Sequence, residues 1–509
     1  MRLDELLVAS AARTPEAVAA MDVAGNAISY KDLDRFADDV ARALVSIGVG
    51  KGDRVGLCVP KSIGALVSIF GILKAGAAYV PVDYSAPAQR NGFIFNNCEV
   101  KAIVAFGANV DALHGELGHE GWSRHPFPLS GVGMDGLLIL VPERSGRASA
   151  AAERDLAYIL YTSGSTGLPK GVMHSHATAM SFVDWCSEEF KPTPRDRFSS
   201  HAPFHFDLSI LDIYVPIKHG ASVVLIGSDA GKQPGTLTKL IAERRITVWY
   251  STPSILRMLV EHGKLEAFDC SSLRLVLFAG EVFPIKHLRA LMSRWPHPVY
   301  YNLYGPTETN VCTYFKLPKQ IDSDDAETLP IGRACSGDQT RVVLASDTEA
   351  PRGEEGELIV AGGSVMLGYW NLPDQNARAF LSEGGKQWYR TGDIVREGVS
   401  GDYLFLGRRD RMVKRRGYRV ELGEIEAALH RHPAIPEAAV IAATNEAGEI
   451  YVHAFIAWTE EEPASVVKLK QFCSQNLPLY MVPDRISVLA ELPKTSTDKI
   501  DYQRLRGLA

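Results

Sequence analysis

Short apolar runs alternate with amphipathic stretches through roughly the first four hundred residues of the chain. The runs "RVGLCVP" (54–60), "KAIVAF" (101–106), "SVVLIG" (222–227), "ITVWYS" (246–251) and "RLVLFAG" (274–280) are continuously apolar and rich in β-branched residues. Such runs predict strands covered on both faces. Between them, "YKDLDRFADDVARALVSIG" (30–48) and "TLTKLIAERR" (236–245) carry apolar residues at helical spacing and predict helices with one buried stripe. The longest apolar region, "GALVSIFGILKAGAAYVPV" (64–82), is interrupted by Lys74 and several glycines. It predicts a buried helix followed by a strand, not a membrane span. This rhythm predicts a layered α/β architecture with mostly parallel sheets.

The pattern changes at "GRRDRMVKRRGYRVE" (407–421), which is basic and has little apolar content. It reads as a solvated linker. Beyond it, "LGEIEAALHRH" (422–432) predicts a helix, and "AAVIAA" (438–443) and "YVHAFIAW" (451–458) predict strands. The expected organisation is a large N-terminal α/β domain of layered sheets and helices, 1–409, and a small α+β C-terminal domain, 410–509.

Composition narrows the class. With 509 residues, 46% hydrophobic and 22% charged, the chain has the make-up of a soluble globular enzyme of more than one domain. A net charge of −6 argues against a broad nucleic-acid footprint. Asp4 and Glu5 stand where a secretory signal would carry positive charge. The seven cysteines are scattered without a CxxC, and the fourteen histidines show no HExxH. A reducing cytosol is therefore expected, with neither a disulfide framework nor a zinc site.

One loop stands out. "TSGSTGLPKG" (162–171) combines glycines, hydroxyls and one lysine. Glycine lets backbone N–H groups approach a ligand, hydroxyls add donors, and the lysine adds a point charge, so the loop suits a polyphosphate. It lacks the Gly-Lys-Ser/Thr of a Walker A loop, and a Ser/Gly run by itself is more often a surface linker. "YGPTETN" (304–310) joins a turn to a carboxylate, "WYRTGDIV" (388–395) places Asp393 in a turn-like context, and "LPKTSTDKID" (492–501) holds Lys494 and Lys499.

Together, in this order, these stretches resemble the adenylate-forming superfamily of acyl-CoA synthetases, firefly luciferase and nonribosomal peptide synthetase adenylation domains. "LKAGAAYVPVD" (73–83), "FHFDLSILDIY" (204–214) and "GELIVAGGSVMLGYW" (356–370) extend the resemblance over the chain, and "AAYVPVD" and "FDLS" favour its amino-acid-activating branch. The resemblance implies that ATP and Mg²⁺ are used. Thr162, Ser163, Gly164, Ser165, Thr166, Gly167 and Lys170 would wrap the β- and γ-phosphates. Glu308 would hold Mg²⁺ and Thr307 would lie beside the α-phosphate. Gly280, Asn302 and Tyr304 would meet adenine, and Asp393 and Arg408 the ribose. Lys499 would be the catalytic ammonium, with Lys494 as fallback, although Asp498 stands where the family usually has glycine. Asp410 would be the hinge about which a mobile C-terminal domain turns, bringing "RRGYRVE" (415–421) toward a pantetheine arm.

By the same resemblance, Asp207 would pair with a substrate ammonium. Leu208, Leu211, Tyr250, Leu277, Ala279, Leu303, Val311 and Cys312 would complete an apolar pocket. This set is similar to that of stand-alone proline-activating enzymes of pyrrole biosynthesis. It implies L-proline as substrate and, with no carrier domain seen in the chain, a separate phosphopantetheinylated carrier protein as acceptor. A ligase of the same fold acting on another small acid, with a carrier or CoA as acceptor, stays open, as does a non-catalytic nucleotide-binding protein.

Overall fold

The computed structural model describes residues 1–117, 121–131, 133–143, 155–163, 168–321, 329–409, 412–445, 448–459, 464–494 and 500–508. Helix Ile63–Lys74 shows how the apolar pattern is used. Ser62 caps it by accepting from the Ala65 N–H, and every residue from Ile63 to Leu73 is buried. Helix Tyr30–Ser46 is capped in the same way by Ser29, but buries only the stripe Tyr30, Leu33, Ala37, Val40, Ala41 and Leu44. The two pack so closely that a Cβ at Gly71 would lie 2.6 Å from Val40 Cβ.

Two large sheets sandwich such helices. In one, the strands Val18–Asp22, Ser222–Leu225, Arg197–Ser200, Val248–Ser251, Leu275–Ala279 and Val299–Tyr304 run parallel in that spatial order. In the other, Ala102–Phe106, Arg54–Cys58, Ala78–Pro81 and Leu156–Thr162 form the parallel centre. The expectation of mostly parallel sheets needs correction, because antiparallel strands extend both. Thr313–Lys316 pairs antiparallel with Val299–Tyr304, and Lys170–Ser175 antiparallel with Leu156–Thr162. The second of these pairs sets Thr162 directly opposite Lys170, the two described ends of the Ser/Gly stretch.

A third sheet is built around the twelve-residue strand Lys386–Glu397. Asp393 lies inside this strand rather than in a free turn. Tyr389, Thr391, Asp393 and Val395 alternate inward along it, and Gly392 between them has φ +72°.

The chain from residue 412 has its own core. Val413, Val420, Ile425, Val440, Ala454 and Leu469 belong to one hydrophobic cluster that takes nothing from the N-terminal sheets. The strand Ile450–Ala457 is its centre, antiparallel to Ala438–Thr444 and parallel to Arg485–Leu489. The basic stretch is not a solvated linker over its described residues. It forms a hairpin, Met412–Arg415 with Tyr418–Glu421, turning at Arg416 and Gly417, both at positive φ. Arg257 and Arg90, of the N-terminal part, make ion pairs with Glu449 and Glu424 beyond the hairpin. Among the described residues no helix is long and apolar enough to cross a membrane.

Candidate active site

A cavity opens where the parallel strands end, the usual place for a ligand in an α/β sheet. Its walls carry Thr162 and Ser163 from the Ser/Gly loop, and Asp207 and Leu208 from the start of helix Leu208–His219. Tyr250, Ala279 and Gly280 come from the ends of adjacent parallel strands, and Thr307 and Val311 from the loop after Val299–Tyr304. The hairpin covers it with Met412, Lys414, Gly417, Tyr418 and Arg419.

Asp207 stands at the apolar end. It accepts from the Thr307 hydroxyl, and burial raises its carboxyl above the ordinary range, with Lys414 only partly offsetting this. No ion pair to Asp207 forms among the described residues. A carboxylate in this position stabilises the protein poorly and is suited to receive a cation from outside.

Glu308, one residue past Thr307, is the opposite case. It is fully buried in the short turn Thr307–Thr309. Arg419 Nη1 donates to both oxygens at 3.0 and 3.1 Å, Tyr369 Oη donates at 2.7 Å, and Lys170 Nζ lies 3.3 Å away. Burial alone would raise its carboxyl, but Arg419 and Lys170 hold it well below the usual range. Lys170 also donates to Tyr369 Oη at 2.9 Å, and burial together with Arg419 pushes its ammonium down to about 8. The carboxylate is thus fully engaged by cations of the protein. In this arrangement it does not fit a divalent ion, which needs an oxygen clear of a guanidinium.

The residues expected at the nucleoside divide. The hydroxyl of Tyr304 donates to Asp393, whose other oxygen pairs with Arg408, and Asp393 is fully buried. Asn302, by contrast, donates to the Pro330 carbonyl at 2.8 Å. Leu211, Leu277 and Leu303 are packed in the main core behind the cavity, and Cys312 in a neighbouring cluster. Lys494 pairs with Glu437 at 2.8 Å and is not part of the wall. Gly164, Ser165, Thr166, Gly167, Asp410 and Lys499 lie outside the described residues.

Residue-level reasoning missed Lys414. Its Nζ lies 5.3 Å from the Tyr304 ring centre, and burial lowers its ammonium against the pull of Asp393. A signal was available. In the hairpin, Val413 pairs with Val420 toward the C-terminal core, so period two sends their neighbours Lys414 and Arg419 to the other face, over the cavity.

With this geometry in hand, comparison with known proteins is decisive. The family model described as AMP-binding enzyme matches residues 7–370, and that of the AMP-binding enzyme C-terminal domain matches residues 424–499. The chain belongs to the AMP-binding enzymes. Two curated relatives within reach of this family are each named L-proline--[L-prolyl-carrier protein] ligase. The one from Pseudomonas fluorescens is 39% identical over 503 residues, covering 98% of this chain and 97% of the relative. The one from Streptomyces coelicolor is 39% identical over 501 residues, covering 95% and 92%. Among solved structures, that of IdnL1 superposes with a TM-score of 0.81 at 28% identity, over 97% of this chain and 99% of that one. The adenylate-forming fold expected from the motifs is the fold observed. The chain is an AMP-binding ligase, as these near-full-length relatives are, and the ends of its parallel strands hold the expected cavity.

Proposed function

We propose that the chain activates L-proline with ATP as prolyl-AMP and then transfers the prolyl group to the phosphopantetheine thiol of a carrier protein. One observation carries this reading: the near-full-length agreement with a ligase named for that reaction, met in the cavity by Asp207, a carboxylate with no cationic partner among the described residues. Proline's secondary ammonium offers two N–H donors to Asp207. The apolar wall of Leu208, Tyr250, Ala279 and Val311 suits its ring.

In the first step a proline carboxylate oxygen attacks the α-phosphorus, and the bond to pyrophosphate breaks. Both reactants are anionic, so the protein must supply cations and fixed donors where charge accumulates. To the phosphates we assign Lys170, beside Glu308, and the hydroxyls of Thr162 and Ser163 in the cavity wall, with Thr307 bonded to Asp207 on the other side. The Thr162 hydroxyl is buried and has no hydrogen-bond partner among the described residues, as a group reserved for a ligand would be. Asp393, held by Tyr304 and Arg408, is our candidate acceptor for the ribose hydroxyls; by the family pattern Gly280 and Asn302 would meet the base. By the family pattern Lys499 would offset the charge of the reacting anions, and Mg²⁺, when bound, would screen that of the phosphates.

In the second step the thiol sulfur attacks the acyl carbon and AMP leaves. We assign residues 1–409 to the nucleotide- and acid-binding part and 410–509 to a part that turns about Asp410, because the hairpin now covering the cavity belongs to the second hydrophobic core. Seven buried, unbridged thiols suit a reducing cytosol.

ATP–pyrophosphate exchange with a panel of amino, aryl and fatty acids tests the reading. Exchange should depend on proline and be lost in Asp207→Ala. Strong exchange with another acid and none with proline replaces proline by that acid; no acid-dependent exchange at all overturns the activity.

A further inference from the structure

The hairpin does more than cover the cavity: it uses up the groups that a metal–triphosphate needs. Arg419 Nη1 spans both oxygens of Glu308 at 3.0 and 3.1 Å. The carbonyl of the same residue accepts from Ser163 Oγ at 2.8 Å, so a hydroxyl of the Ser/Gly loop is turned toward the hairpin. The Gly417 N–H donates to Glu281 Oε1 at 2.5 Å. A Cβ at Gly417 would come within 2.3 Å of Thr252 Cγ2, so the turn is seated tightly against the N-terminal part. A divalent cation on Glu308 would sit beside Arg419 and beside Lys170, which is 3.3 Å from that carboxylate, and both would repel it. The buried carboxylate accommodates one arrangement or the other.

We propose that Arg419 competes with the divalent cation and its triphosphate for Glu308 and Ser163, so the hairpin docks only after metal and polyphosphate have left. This rests on the adenylating function proposed above. Arg419 is then a positioning residue that acts through Glu308. It replaces a ligand cation by a protein cation, keeps a buried carboxylate paired in both states, and makes the thiol step follow the adenylation step. The contacts Arg90–Glu424 and Arg257–Glu449 lie elsewhere on the same interface and hold the docked arrangement without touching the cavity wall.

Arg257 and Glu449 provide the test, since they face each other across the interface and the seven native thiols are buried. The full chain carrying Arg257→Cys and Glu449→Cys is bridged by a short bis-methanethiosulfonate, which a thiol reductant releases, to lock the docked state. Binding of Mn²⁺ with α,β-methylene-ATP, without amino acid, is then read from the electron paramagnetic resonance of free Mn²⁺. The locked enzyme should bind at least about tenfold more weakly than its reduced form, the size of an ordinary coupling between two sites. Adding Arg419→Gln should bring the locked form to within about threefold of the reduced one, while Arg419→Lys, which keeps the charge, should leave binding weak. Equal affinity in locked and reduced enzyme overturns the proposal, and that comparison needs no change at Arg419. A locked Arg419→Gln enzyme as weak as the locked parent overturns the assignment to Arg419. Reduced enzyme that binds no Mn²⁺–analogue overturns this proposal together with the nucleotide reading, whereas exchange that ignores proline overturns only the choice of acid.

Discussion

Asp207 and Glu308 are separated by a single residue in space, Thr307, whose hydroxyl bonds one and whose backbone continues into the other. Their surroundings are opposed. Glu308 has a guanidinium, an ammonium and a phenol hydroxyl, and its carboxyl is held well below the ordinary range. Asp207 has the Thr307 hydroxyl and a distant lysine, and burial raises its carboxyl. The difference teaches how to tell an acid whose counter-charge the protein supplies in this state from one whose counter-charge must come with the substrate. Burial costs both alike, but only one is repaid by the protein itself. The other must wait for a cation that arrives with the substrate.

The most severe way to break this contrast is to remove each charge in turn. Glu308→Gln leaves Arg419 and Lys170 facing each other without their anion, and breaking a buried pair in this way costs about 3–5 kcal/mol. The variant should melt well below the wild type at pH 7 and lose exchange. Asp207→Asn should lose activity on the same scale, about a hundredfold or more in kcat/KM for proline, because the ammonium then has no counter-charge. Yet it should melt at or above the wild-type temperature, since an unpaired buried carboxylate has been removed. Calorimetry alongside exchange kinetics checks both. If Asp207→Asn were as unstable as Glu308→Gln, Asp207 would be a structural acid.

A pH series sharpens the same contrast. The raised carboxyl of Asp207 takes up its proton first as pH falls, so the native state binds more protons than the unfolded state through that window. Asp207 therefore destabilises the fold above its titration and ceases to do so below it, and the stability gap between wild type and Asp207→Asn should close with acid. Glu308 works in reverse: its contribution is present above the ordinary glutamate value and is lost only as pH falls toward its depressed one. The kcat/KM for proline should accordingly fall with unit slope at a pH above the ordinary aspartate range, while exchange at saturating proline falls later. An acid limb that is unchanged in Asp207→Glu and coincides with unfolding would assign the loss to the fold.

Much of this was legible in the sequence, and the failures have physical causes. The parallel strands, the all-buried helix at Ile63–Lys74 and the capped helix at Tyr30–Ser46 follow from apolar runs and period alone. The antiparallel extensions were not legible, because an isolated apolar run such as Thr313–Lys316 carries no mark of its direction. The cavity's polar end was found from hydroxyls, glycines and carboxylates in order. Its lid was not, since a run of cations reads as solvated until its partners are known: Arg419 meets Glu308, over a hundred residues away, and Lys414 is drawn by Asp393 and Asp207. Leu211, Leu277 and Leu303 show the converse limit. Their apolar character places them near the site, but it does not distinguish a wall from the core behind it.

Gly417 offers a milder test, because it alters only how the lid sits. At φ +80° and with Thr252 Cγ2 in the way of a Cβ, Gly417→Ala should cost about 1–3 kcal/mol of docking. Transfer to the carrier should slow by about tenfold or more, while proline-dependent exchange changes by less than about threefold. Slowing of both steps to the same degree would mean that the hairpin conformation is needed for adenylation as well.

The smallest expected effect isolates the Glu308 end without moving any charge. Tyr369 Oη donates to Glu308 at 2.7 Å and accepts from Lys170 at 2.9 Å, so it relays the lysine to the carboxylate. Tyr369→Phe removes a hydrogen bond to a buried ion, whose usual worth is about 1.5–3 kcal/mol. Lys170 is already 3.3 Å from the same oxygen and, released from the phenol, can bond it directly, so about half of that loss should be recovered. The expected result is a modest fall in melting temperature and a drop of about threefold to tenfold in exchange at low ATP. The KM for proline should stay within about twofold, because nothing at Asp207 has changed. A rise in that KM equal to the rise for ATP would show the two carboxylates to be coupled through Thr307, and the division between a nucleotide-side acid and an amino-acid-side acid would then have to be drawn around the pair.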